Sequence, residues 1–405
     1  MAPVRRPHRR RGPPPCGDER PDSRTSPSRA ARTYIQESGL VALIKWFKHN
    51  SMTYPQIAKV VCSCSGNLEK VRRMIKWLRS IYVKGDYLGH GNDEHDFGTM
   101  VYDYPKVLGF FSLEEMNSKV QYLKEFGLST EELGKLLAFK PQLMACSIEE
   151  RWKPLVKYLY HLNISRDGMK RMLMVQPTIF CLDLETVIAP KVQFIHDIGV
   201  RSDAVGGVLV KFPPVLTYSL YKKLRPVVIF LMTKAGVKQE DIGKVIALDP
   251  QLLGCSIVRK LEISVKYFRS LGIYHFVLGQ MVADFPTLLR YNVDVLRPKY
   301  QYLRRVMVRP LKDLIEFPRF FSYSLEERIE PRHQTLVANR INMKLRYMLV
   351  GSDEQFAQRV QEAVERRARF EAGNAAVLEA SDAPETPNGA AAVAAPAQDD
   401  REAET

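Results

Sequence analysis

Apolar side chains along this chain recur at helical spacing rather than in alternation. Leu40 to Phe47 and Leu68 to Ile81 place their hydrophobes three and four apart, as do Leu133, Leu136 and Leu137 further on. That period gathers them on one stripe of a helix and leaves the polar residues on the other side. A longer beat, carried by proline, runs over the short one. Pro105, Pro141, Pro177, Pro213, Pro250, Pro286 and Pro318 are spaced 36, 36, 36, 37, 36 and 32 residues apart. Six residues after each of the last six stands a short polar side chain (Ser147, Asp183, Ser219, Ser256, Asn292, Ser324), followed each time by an aliphatic one. Such a side chain can accept from an unpaired N–H of a first helical turn, so each position predicts a helix start. The first unit is shifted by one, to Ser112-Leu113.

Pro154, Pro190, Pro226, Pro298 and Pro331 fall just inside these helices and are read as first-turn prolines or mild kinks. Gly127, Asn163, Gly199, Gly236 and Gly272 keep the same period, each before an aliphatic residue, and predict helix ends in the left-handed conformation. A second helix then opens, with Ser129 and Glu132 as a capping box. Each unit reads as helix, glycine turn, helix and a brief Pro-led segment, such as residues 141–144, expected to be 3₁₀. No unit can bury its apolar face alone. The expected fold is therefore all-α, a superhelical solenoid of about 36-residue helix-turn-helix repeats with an extended concave face. The array is expected over residues 33–350, with an irregular junction at 84–97 because Pro55 to Pro105 leaves one period plus 14 residues.

Charge changes the picture next. The 405 residues hold 60 Lys and Arg against 45 Asp and Glu, a formal net charge of +15. Residues 1–32, with nine arginines, three acids and seven prolines, read as a disordered basic leader and a candidate organellar transit segment. From Gly351 twelve acids face five arginines, so residues 351–405 read as an acidic, Ala/Pro-rich, flexible tail. The basic character therefore belongs to the repeats. Apolar runs such as Val227 to Met232 fall far short of the roughly 20 residues that cross a bilayer, so no membrane partner is expected.

The run Pro-x-aliphatic-aliphatic, a capping residue, a long helix, a Gly-aliphatic turn and a second helix closing on the next proline resembles the mitochondrial transcription termination factor (mTERF) family, especially its plant organellar branch. Phe212-Pro213-Pro214-Val215-Leu216, Phe285-Pro286-Thr287-Leu288-Leu289 and Phe317-Pro318-Arg319-Phe320-Phe321 carry the likeness. It implies an organellar superhelix that binds nucleic acid, usually duplex DNA, and acts in transcription termination or regulation. RNA binding for intron splicing or ribosomal RNA maturation is the alternative. Likeness to plant members favours the chloroplast over the mitochondrion, and organellar transcription or RNA-processing proteins are further candidate partners. A third reading, from another class, is a HEAT-like scaffold whose apolar groove holds a partner helix.

Within the residues themselves, cations near the starts of first helices are the candidates for phosphate contact, since N–H groups and side-chain charge act together there. They are Lys119, Lys153, Lys191, Arg225, Lys299 and Arg332, and Arg297, Arg304, Arg305 and Arg319 join them because residues 297–346 hold twelve Lys and Arg against five acids. Arg290, Tyr291 and Tyr302 are candidates for base readout or stacking. Catalysis finds no support: no HExxH, GxSxG, phosphate-loop or dinucleotide fingerprint occurs. No cofactor or metal is expected, and His90 and His95 read as part of a polar junction. Cys146, Cys181 and Cys255 read as small core residues, Cys16, Cys62 and Cys64 add no CxxC pair, and the chain is expected to be a monomer.

Overall fold

The computed structural model describes residues 40–49, 52–63, 68–82, 101–102, 104–105, 108 and 112–381. The expected leader at 1–32, the junction at 84–97 with its two histidines, and Cys16 and Cys64 lie outside them. Every regular element among the described residues is helical. Two compact units divide the chain, residues 1–192 and 193–405.

In the first unit, α1 (Leu40–His49), α2 (Tyr54–Ser63) and α3 (Leu68–Tyr82) precede the regular repeats. These begin with α4 (Leu113–Glu125) and α5 (Thr130–Phe139), then continue with α6 (Lys153–His161) and α7 (Arg166–Val175). Helix α8 (Ala189–Asp197) holds the division. The second unit continues with α9 (Ser202–Lys211), α10 (Arg225–Thr233), α11 (Gln239–Leu248), α12 (Glu262–Ser270), α13 (His275–Asp284) and α14 (Val293–Gln301). It closes with α15 (Leu311–Glu316), α16 (Glu330–Ala338), α17 (Leu345–Leu349) and α18 (Asp353–Ser381).

Each Pro-led segment is a 3₁₀ turn, from Pro141–Ala145 through Pro318–Ser322. Its third and fourth residues are the buried heart of the repeat: Leu143 and Met144, Ile179 and Phe180, Val215 and Leu216, Leu252 and Leu253, Leu288 and Leu289, Phe320 and Phe321. The capping positions behave as their chemistry requires. Ser147, Asp183, Ser219, Ser256 and Ser324 each accept from the backbone N–H three residues on. Ser129 and Glu132 close a reciprocal capping box. The turn residues take the left-handed conformation, with φ of 78° at Gly127, 89° at Gly199, 79° at Gly236, 87° at Gly272 and 58° at Asn163.

The periodic prolines sit differently from first-turn prolines. The carbonyls of Ser147, Asp183, Ser219, Ser256 and Ser324 accept from the fifth residue on, at 3.0 to 3.3 Å, so these five first helices open on one wide π turn, which α4 and α14 lack. Pro154, Pro190, Pro226 and Pro331 come directly after it, as second residues of α6, α8, α10 and α16, where the wide turn spares the ring its clash with the carbonyl four residues back. Ile263 takes that place in α12 and the wide turn persists, so proline exploits this geometry without creating it. At the other end, composition had suggested a flexible tail, whereas α18 continues helical to Ser381. Phe356 and Val360 are buried, and residues such as Glu362, Ala363 and Arg366 are strong helix formers.

Candidate nucleic-acid interface

Four of the expected phosphate contacts are occupied inside the protein. Lys119 is buried, and its Nζ donates to the Met144 carbonyl of the next 3₁₀ turn at 2.6 Å. Arg332 is buried too; it donates to Met348 O at 2.8 Å and to Asp353 Oδ1 at 2.6 Å. Lys299 Nζ reaches Phe321 O at 2.9 Å, and Lys191 is buried. Burial pulls the pKa of Lys119, Lys191 and Lys299 below the ordinary lysine value, because a low-dielectric site disfavours the charged form. The expectation for these four is corrected. The long stems of Lys119 and Lys299 let a cation satisfy a carbonyl of a 3₁₀ turn, and Arg332 does so for a carbonyl of α17. Ser264 does the same with Leu289 O at 3.0 Å.

Arg290 is likewise committed. Its guanidinium forks onto both oxygens of Asp249 at 2.9 and 3.0 Å and also donates to Gln251, so it ties two consecutive repeats together. Tyr291 packs tilted on Phe285 with centroids 6.1 Å apart, and burial raises its pKa. Phe212 with Tyr218 and Phe317 with Tyr323 repeat that pair at 6.0 and 6.3 Å. Tyr302 holds His333 by a 3.0 Å hydrogen bond and an edge-on ring contact. Burial and the nearby Arg309 charge keep that imidazole below its ordinary pKa. All three base-reading candidates are thus engaged in packing between or within repeats.

The remaining candidates stay at the surface. Lys153 is exposed and paired with Glu149 at 2.6 Å. Arg304 donates to the Arg309 carbonyl at 2.7 Å, leaving its charge unneutralised. Arg225 lies 4.8 Å over the exposed Tyr221 ring and Arg319 lies 5.7 Å over Phe285. Arg297 and Arg305 are exposed. Among the described residues no carboxylate lies within ion-pair distance of Arg225, Arg297, Arg304, Arg305 or Arg319.

Structure also reveals cations that the sequence reading passed over. The wide turns Leu220–Leu224 and Ile257–Leu261 carry Lys222 with Lys223 and Arg259 with Lys260, and neither has an acid in its first turn. The corresponding turns elsewhere carry Glu149 and Glu150, Glu185, or Glu326 and Glu327. Lys223 spends its ammonium on the Cys255 carbonyl at 2.5 Å, which places it against the following repeat. Cations at a helix start oppose the positive end of the helix dipole at a cost of about 0.3 to 1 kcal/mol each, and a bound anion relieves that cost. Within the second unit the wide turns of successive repeats pack onto the 3₁₀ turns that follow them. Lys222 with Arg225, Arg259 with Lys260, and Arg297 fall near the openings of three successive first helices of that unit. The signal was present in the sequence as Lys222 and Arg259 standing where two sister repeats have Glu150 and Glu327.

A family model described as mTERF matches residues 78–357. The chloroplastic transcription termination factor MTERF2 of Arabidopsis thaliana is 53% identical over an alignment covering 85% of this chain and 63% of that protein. The chloroplastic factor MTERF4 is 34% identical in Arabidopsis thaliana, covering 30% of this chain and 22% of that relative, and 32% identical in Zea mays, covering 31% and 25%. The chain thus spans less than two thirds of the length of the curated relatives it matches. Among the described residues no helix is long and apolar enough to cross a membrane.

Proposed function

Because the chain belongs to the mTERF family, we propose that it is a nucleic-acid-binding regulator of organellar gene expression that acts in the chloroplast, as the names of its relatives indicate for them. It grips duplex DNA through phosphate contacts and so terminates or regulates transcription. The observation that supports this reading is the recurrence of unneutralised cations at Lys222, Arg225, Arg259, Lys260 and Arg297, a pattern suited to a polyanion with regularly spaced charge. Phosphate contacts supply affinity and register. Sequence choice would need contacts beyond them, since Arg290, Tyr291 and Tyr302 are already engaged.

Filter binding across a salt series tests the proposal. Each phosphate neutralised on a duplex contributes about −0.9 to the slope of log affinity against log salt. Replacing Lys222, Arg225 and Arg259 with glutamine is expected to make that slope shallower by about 2.7. An unchanged slope would move the interface elsewhere. Preference for the matching RNA over the duplex would select the RNA-processing alternative, and binding indifferent to salt would select a protein scaffold.

A further inference from the structure

Consecutive repeats meet in a fixed register. The residue four after one repeat proline packs against the residues just before and five after the previous one. Arg290 bonds Asp249 and lies close enough to Cys255 to act on its thiol in this way. A Cβ placed on Gly254 would stand 2.6 Å from the Phe212 ring and 3.5 Å from that of Tyr218. In the first unit the same register brings two cysteines together. Cys181 stands four residues after Pro177 and Cys146 five after Pro141, on 3₁₀ turns that pack on one another. The register sets the two side chains against each other across that contact, where each is the largest influence on the other's ionisation, and Cys146 Sγ donates to Gln142 O at 3.8 Å. Both are free and half-buried, with Lys119, Lys140 and Arg151 close enough to act on Cys146 electrostatically. Among the described residues no other junction repeats this arrangement, since Cys255 meets Arg290 instead.

We propose that Cys146 and Cys181 are a redox-active dithiol that closes reversibly into a disulfide between two consecutive repeats, by exchange with a small-molecule or protein disulfide.

The two thiols are unequal, which orders the steps. The Cys181 thiol beside it, with the nearby cations, holds Cys146 down to about 7, whereas Cys181 is pushed up by its neighbour Cys146 and by burial. Near neutral pH Cys146 is thus the thiolate that attacks. It displaces one thiolate from the incoming disulfide and forms a mixed disulfide. Cys181 then loses its proton, attacks Cys146 Sγ and releases the second thiol. The sum is one protein dithiol and one disulfide giving one protein disulfide and two thiols, so the incoming disulfide is the oxidant. The link would pin the turn Pro141–Ala145 to the turn Pro177–Cys181, locking that junction of the first unit.

The full chain, reduced and then exposed to glutathione disulfide, is digested and mapped by mass spectrometry. The expected product is a peptide pair joined through Cys146 and Cys181, reopened by dithiothreitol. Alkylation of the reduced chain near pH 7 should be about tenfold faster at Cys146 than at Cys255, whose thiol burial pushes up. Cys181→Ser should stop the reaction with glutathione retained on Cys146. Failure of the linked pair to form in the native chain while the exposed Cys62 takes up glutathione would overturn the proposal. So would a Cys146→Ser chain in which Cys181 reacts as fast as in the native protein. The native-chain mapping decides the matter even if a variant folds poorly.

Discussion

Gly243 lies in the middle of α11, where replacing glycine with alanine would ordinarily help. Alanine is favoured over glycine by about 0.8 to 1.0 kcal/mol inside a helix. At this position, however, the added methyl would stand 1.9 Å from the Gly199 carbonyl oxygen and 2.7 Å from the Val200 nitrogen. Both are backbone atoms of the preceding left-handed turn, and no side chain can swing away. Even reaching 3.0 Å would require the two repeats to part by more than about 1 Å. Overpacking of a well-filled contact costs about 1 to 3 kcal/mol, with backbone clashes toward the upper end, so the cost outweighs the propensity gain and Gly243→Ala should lose about 1 to 2 kcal/mol. Gly207, in α9, is the control, since a methyl there meets nothing within 4 Å, and Gly207→Ala should gain about 0.4 to 1 kcal/mol. With a urea slope of about 2 kcal/mol per molar, the two variants should separate by about 1 M in midpoint. A Gly243→Ala protein as stable as Gly207→Ala would refute the idea that repeats abut through bare backbone at this point.

Arg290→Met should strand the buried Asp249 carboxylate and cost about 2 to 4 kcal/mol, somewhat under a fully buried pair because the Arg290 side chain keeps 31% exposure; adding Asp249→Asn should restore more than half in the same denaturation assay. Acid should weaken the first unit through its caps. Backbone N–H groups of Ser112, Ser129 and Thr186 hold Glu115, Glu132 and Asp183 below their ordinary pKa values. A depressed carboxylate contributes its stability above the unfolded pKa and loses it as pH falls through the folded one. Urea midpoints should therefore fall as pH drops below the ordinary carboxylate range, and Glu132→Gln should flatten that dependence.

Local chemistry is what the linear chain states outright. A serine six residues after proline, a glycine before an aliphatic and two leucines three apart each act over a single helical turn. Caps, left-handed turns and 3₁₀ segments were therefore legible, and with them the all-α repeat and its family. The wide turns were not, because Trp152, Ile188, Leu224, Leu261 and Ile329 donate the i+5 bond through the backbone and no side chain announces it. Gly243 and Gly279 stand seven residues before their repeat prolines, a recurrence available to inspection. The reason for it appears only where one repeat's backbone touches the next. The fate of the cations was decided in the same way. Lys119, Lys299 and Arg332 look like surface charges at helix starts, yet packing turns their stems toward carbonyls further along the chain, and Lys191 is buried as well. Lys222 and Arg259, equally basic, are left facing water. Sequence spacing gives a residue its place on a helix. Whether its charge is spent on a neighbouring carbonyl or remains free for a phosphate depends on which surface comes to lie against that helix, a property of the stacked repeats and not of any one of them.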